Sequence, residues 1–246
     1  MSLIRSAAFV GASLVAAASS VSAQAASTAV GARVSTLGLG LEASLGLNDY
    51  LNLRLPFNLF NYNFDDEQDG VPYDGKLKLK SIGAQLDYHP FKGTFFLTGG
   101  LFANGNKLDL FAQDKSGTEE YQIGDDDRVY TSDTSDPLTL KGGLDVNSAA
   151  PYIGLGWGNP IQGASNFYFR FELGAYFQGS AKVGLNASGS AVDQQTGQSF
   201  STTGNTPEAQ LFQAQLEEER ASLQDDLTDY EIYPVIGFTL GYRFSL

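Results

Sequence analysis

The chain has 246 residues, no cysteine and a formal net charge of −13. The first absence excludes a disulfide framework, and the negative balance excludes nucleic acid, whose phosphates it would repel. Mean hydropathy is −0.15, which reads as soluble unless half of every strand is polar, as in a transmembrane barrel.

Residues 1–23 have the pattern of a secretory signal. Arg5 supplies the positive start, Ala7 to Ala18 is a short apolar run, and Val21-Ser22-Ala23 offers a small-residue cleavage site. The run falls short of the roughly 20 residues a spanning helix needs. Cleavage is expected before Gln24, with cleavage after Ala25 as the fallback, leaving 24–246 as one domain.

Period-two patterning then dominates. Val30, Ala32 and Val34 are apolar at even positions, whereas Leu37, Leu39, Leu41, Ala43, Leu45 and Leu47 are apolar at odd ones. The change of phase splits 30–47 into two strands near Ser35 to Gly38; one bulged strand is the alternative. Leu51 to Leu59 alternates cleanly, and so does Ile82 to Tyr88 after a switch of phase. Above that switch Lys76, Lys78 and Lys80 share one face and Leu77 and Leu79 the other, which predicts a β-bulge near Lys80-Ser81. A similar switch predicts irregularity near Ala149-Pro151. Further strands begin near Thr94, within Leu138 to Trp157, over Phe167 to Gln178, and from Ile232 to Leu246. Short connections (48–50, 90–93, 159–166) alternate with long polar ones (65–73, 113–137, 182–229), the arrangement of periplasmic turns and extracellular loops. The expectation is an all-β fold: a closed antiparallel transmembrane β-barrel of eight strands. Thr206-Pro207-Glu208 opens one acidic amphipathic helix, about 207–228, before the last strand. Its apolar stripe is Leu211, Phe212, Leu216, Leu223 and Leu227.

An eight-stranded lumen is about filled by its own side chains. The inward candidates Arg33, Glu42, Arg54, Asp87, Arg170, Glu172 and Arg243 mix both signs, and buried charges must be paired. They are expected to form a charge network that plugs the lumen. Asp65, Asp66, Glu67, Asp69, Asp125, Asp126 and Asp127 make the long loops acidic, a surface that would concentrate cations. Their spacing matches no EF-hand loop, so no metal and no cofactor is expected. Catalysis is not expected either. His89 is followed by Pro90 in a turn, and Ser81 lies eight residues back along the same strand, out of reach.

Val30-Gly31-Ala32-Arg33, Ala150-Pro151-Tyr152-Ile153-Gly154-Leu155-Gly156, Glu172-Leu173-Gly174-Ala175-Tyr176 leading into Gly179-Ser180-Ala181-Lys182-Val183, and the strand after Tyr233-Pro234-Val235 resemble the ornithine-uptake, carbapenem-susceptibility porin (CarO-type) family. The likeness to OmpW-like barrels is more distant. The long acidic helix and the non-aromatic Leu246 depart from the family pattern. The resemblance implies an outer-membrane location and passage of small cationic solutes such as basic amino acids. The alternative is a non-transporting barrel serving envelope integrity or surface binding. Expected partners are outer-membrane lipid and lipopolysaccharide, and the barrel-assembly machinery through the C-terminal strand.

Overall fold

The computed structural model describes residues 27–244 except 69–70 and 125–127. The expected signal segment, Asp69 and Asp125 to Asp127 lie outside the described residues, as does Leu246. The described residues open with β1 (Thr28–Ser35), β2 (Gly38–Gly46), β3 (Leu51–Gln68), β4 (Val71–Tyr88) and β5 (Phe95–Asn104). It continues through β6 (Lys107–Gln113), β7 (Glu120–Gln122), β8 (Val129–Ser132), β9 (Thr139–Asp145), β10 (Ala149–Trp157) and β11 (Phe167–Phe177). Then come β12 (Lys182–Ser188), β13 (Ser190–Asp193), β14 (Gln198–Ser201), helix α1 (Pro207–Asp226) and β15 (Ile232–Phe244).

Eight of these strands close a ring. β1 pairs β2, β2 pairs β3, β3 pairs β4 and β4 pairs β5. β5 then pairs β10, β10 pairs β11, β11 pairs β15 and β15 returns to β1. Every pairing is antiparallel, so no edge is left to be satisfied in lipid. The division of 30–47 into two strands is what makes the number even. A two-residue turn separates them, with the Leu37 N–H donating to Ser35 Oγ at 3.2 Å. Gly38 follows at φ +110°, where a Cβ would also press on Phe60 Cβ at 2.9 Å, so only glycine fits.

The expected bulges are absent. β3 and β4 keep one register from Leu51↔Tyr88 to Gln68↔Val71. β4 likewise meets β5 and then β6 without a slip, from Tyr88↔Leu97 to Tyr73↔Ala112. β10 and β9 follow β5 and β6 in the same way, from Trp157↔Phe95 to Thr139↔Gln113. The phase of hydrophobicity changes because the surroundings change, while the strand runs straight through. Below Ser81 the outward residues of β4 are Ile82, Ala84, Leu86 and Tyr88, and the inward ones are Gly83, Gln85 and Asp87. Above it the outward residues are Lys80, Lys78 and Lys76, and the inward ones Leu79 and Leu77. The upper edge of the apolar belt therefore passes beside Lys80.

Above that edge the long connections form a folded cap. β6, β9 and β12 extend the sheet from β4, while β7, β8, β13 and β14 form a second, small sheet. Between them lie Tyr130, Phe200 and Phe212, packed edge to face at 5.0–6.0 Å, a favoured aromatic geometry. The helix begins as its sequence predicts: the Thr206 side chain accepts from the Ala209 N–H and Pro207 takes the first turn. Its buried face is Ala209, Phe212 and Gln215, with Leu216 beside them, rather than the longer stripe to Leu227. The second half of α1 is held by polar contacts instead. Gln224 donates to the Ala181 carbonyl at 2.6 Å and accepts from the Val183 N–H at 3.0 Å. Leu223 is left 39% exposed.

Candidate functional site

Inward positions of all eight barrel strands converge on one cluster of charge. Arg54 on β3 is its hub. It makes a bidentate pair with Asp87 on β4, Nε to Oδ2 and Nη2 to Oδ1, both 3.0 Å. Its Nη1 reaches Glu172 at 2.7 Å and Glu42 at 3.3 Å. Arg170 on β11 donates to Asp87 at 2.7 Å and to Glu172 at 3.3 Å. Arg33 on β1 bridges Glu42 on β2 and Glu172, both at 3.3 Å.

Three guanidinium groups thus meet three carboxylates. None of the six residues is more than 4% exposed, and in such surroundings only matched charge with fork geometry is tolerated. The remaining strands supply neutral partners. Thr98 on β5 accepts from Arg54 at 3.2 Å, Thr239 on β15 donates to Glu42 at 3.5 Å, and the Tyr152 hydroxyl on β10 donates to Glu172. The Arg170 guanidinium also sits 3.8 Å above the Phe96 ring, a cation–π contact in a desolvated setting.

Arg243 does not join this cluster. It sits near the short-turn end, and its side chain donates to the carbonyls of Asn159, Pro160, Gln162, Gly163 and Ser165 at 2.7–3.0 Å. It ties the 159–166 turn beneath the lumen. His89, 1% exposed, stands near it. Its Nδ1 is 3.0 Å from the Gly93 carbonyl and its Nε2 3.0 Å from the Asn52 amide nitrogen. That pairing fits a neutral ring, donating from Nδ1 and accepting at Nε2. Burial pushes the ring below its ordinary pKa, against the nearby Asp87.

Towards the cap the lumen is closed by aromatics. Phe102 packs edge-on against Tyr152 and Tyr176 at 5.7 and 5.2 Å, with Leu37, Ala150 and Val235 around them. Gly174 makes the room, since a Cβ there would lie only 2.1 Å from the Tyr152 hydroxyl. The sequence reading gives Tyr152, Tyr176, Thr98 and Thr239 no part in the site. Strand parity was the signal that could have found them.

Of the acidic loop residues, only Asp65 has a described side chain. Asp65 faces Asp74 across the β3–β4 ladder on the outward face, and among the described residues no group of three or more metal-ligating side chains forms.

No protein-family profile matches the chain, and no curated protein matches it. Solved structures do. The crystal structure of Acinetobacter baumannii CarO is 20% identical, covering 88% of this chain and 97% of that one, with a TM-score of 0.52. Acinetobacter baumannii CarO2 is 20% identical, covering 90% of this chain and 100% of that one, with a TM-score of 0.55. A major outer membrane protein from Thermus thermophilus also aligns, at 13% identity and a TM-score of 0.32, over 90% of this chain and 100% of that one. The CarO structures share the fold of this chain.

Proposed function

We propose that the protein is an outer-membrane barrel with a non-conducting lumen, whose work is done by the cap and surface it anchors at the envelope. The observation that carries this reading is the plug of Arg33, Arg54 and Arg170 with Glu42, Asp87 and Glu172. A cationic solute crossing it would have to pass three buried guanidinium groups and separate pairs in a medium where unpaired charge is costly. Eight strands leave no second path beside it. The alternation of short and long connections supports an orientation with the cap outside the cell and the 159–166 turn in the periplasm.

Uptake of radiolabelled ornithine and arginine into proteoliposomes of the refolded protein tests the proposal. Uptake is expected to match empty liposomes and the glutamate control, with heat-modifiable gel mobility showing the barrel folded. Cation uptake above both controls overturns it and establishes passage of basic amino acids instead.

A further inference from the structure

The chain has eight lysines, and six of them lie on one surface. Lys76, Lys78 and Lys80 alternate along β4 on the face that carries Ile82 and Leu86 lower down. Lys107 on β6 is the cross-strand partner of Lys78, so it shares that face. Asp145 on β9 pairs with both Lys107 and Lys182 on β12, which puts Lys182 there too. Lys141 on β9 pairs with Phe111, which pairs with Asp74 on β4, again at an outward position.

This lysine face begins where the lipid-facing surface stops. Lys80 lies directly across from Leu59, the last of the outward leucines of β3. It is two residues above Ile82, which is 48% exposed, so the step along the strand is about 7 Å. Lys107 follows Ala103 by four residues and Lys182 follows Phe177 by five. On the other side of the barrel, β1, β2 and β15 end near this level and carry no lysine. The basic surface is therefore one-sided and continuous with the belt that meets lipid.

Its charges are incompletely matched. Asp109 takes Lys78 at 2.6 Å and Lys107 at 3.0 Å. Among the described residues Lys76, Lys80, Lys141 and Lys182 take part in no ion pair. Asp65, Asp74, Asp109 and Asp145 are the described carboxylates on the face, so lysines outnumber acids here on a chain of net charge −13. Asp109 bridges the Lys78–Lys107 pair and Asp145 approaches Lys107 at 3.9 Å, so the charge left for an external anion is that of Lys76, Lys80, Lys141 and Lys182.

We infer that this face docks the phosphorylated headgroups of the glycolipid in the outer leaflet, holding them against one side of the barrel just above the acyl chains. Lysine suits the role as a compact point charge on a long stem, able to reach down to phosphates from a strand. The inference rests on the outer-membrane orientation proposed above, and not on whether the lumen conducts.

Native mass spectrometry of the folded protein in neutral detergent, titrated with bisphosphorylated lipid A, tests it. Lipid A is expected to bind, to weaken with rising salt, and to resist millimolar inorganic phosphate. Lipid A stripped of its phosphates is expected not to compete. The triple variant Lys80→Gln, Lys107→Gln, Lys182→Gln should bind at least about tenfold more weakly, while Lys92→Gln with Lys115→Gln should bind as the parent does. Equal binding of the dephosphorylated lipid overturns the inference without recourse to any variant. So does full retention by the triple variant, or an equal loss in the control pair. Displacement by inorganic phosphate alone would make it a free-anion surface and overturn the lipid assignment.

Discussion

The lumen and the cap are built by opposite faces of the same pattern. In the barrel, β4 turns Asp87, Gln85 and Ser81 inward and Leu86 and Ile82 outward. In the cap it turns Leu79 and Leu77 inward and Lys80 and Lys78 outward, with no slip in register between the two halves. The difference teaches that alternation records what lies outside as much as what lies inside. Where the outside is hydrocarbon, the interior takes the polar groups and must satisfy them with one another. Where the outside is water, the interior reverts to an ordinary apolar core around Phe212 and Tyr130.

The comparison is broken most severely at the hub of the lumen. Arg54→Ala is expected to cost about 3–5 kcal/mol, because it leaves three buried carboxylates facing two guanidinium groups. Urea unfolding in detergent micelles, followed by tryptophan fluorescence of Trp157, measures the loss. A cost below about 1 kcal/mol would show the network to be solvated.

Phe212→Ala attacks the other region and should cost about 3–4 kcal/mol by opening a cavity in the cap core. Limited proteolysis should then cut the cap while the eight barrel strands stay resistant. Loss of both together would show that cap and barrel unfold as one unit.

The outward faces can be compared directly. Ile153 lies in the middle of β10, so Ile153→Lys should cost about 2–4 kcal/mol in a bilayer. Lys80→Leu, at the edge of the apolar belt, should change stability by less than about 0.5 kcal/mol. Similar costs at the two positions would misplace the boundary.

The smallest effect concerns His89. Burial lowers its pKa in the folded protein, so the unfolded chain binds the proton first as pH falls. Stability from this residue is therefore full above the ordinary histidine pKa of about 6.5 and declines as pH drops below it. His89→Gln should flatten the stability profile over that window. An unchanged slope would assign the pH dependence to other groups.

Much of this was legible in the chain. Parity alone assigns Arg33, Glu42, Arg54, Asp87, Arg170 and Glu172 to the inside of the barrel, and the change of phase between Val34 and Leu37 marks the first turn. The Thr206-Pro207 start of the helix is equally local, since a cap needs only its own three following residues. The switch at Lys80-Ser81 was visible but misread as a bulge, because a phase change in composition looks the same whether the backbone or the environment has turned. Arg243 has the inward parity of Arg170 yet meets turn carbonyls instead of carboxylates.

The sequence by itself determined which face each strand residue takes, where the chain turns and that both signs of charge enter the lumen. All of these follow from a two-residue period and short-range turn chemistry. Only the tertiary structure decided which charges meet, that Arg243 stands apart, and that six lysines from four strands share one surface. Height along the barrel is set by the stagger accumulated from strand to strand, and that stagger exists only once the ring has closed.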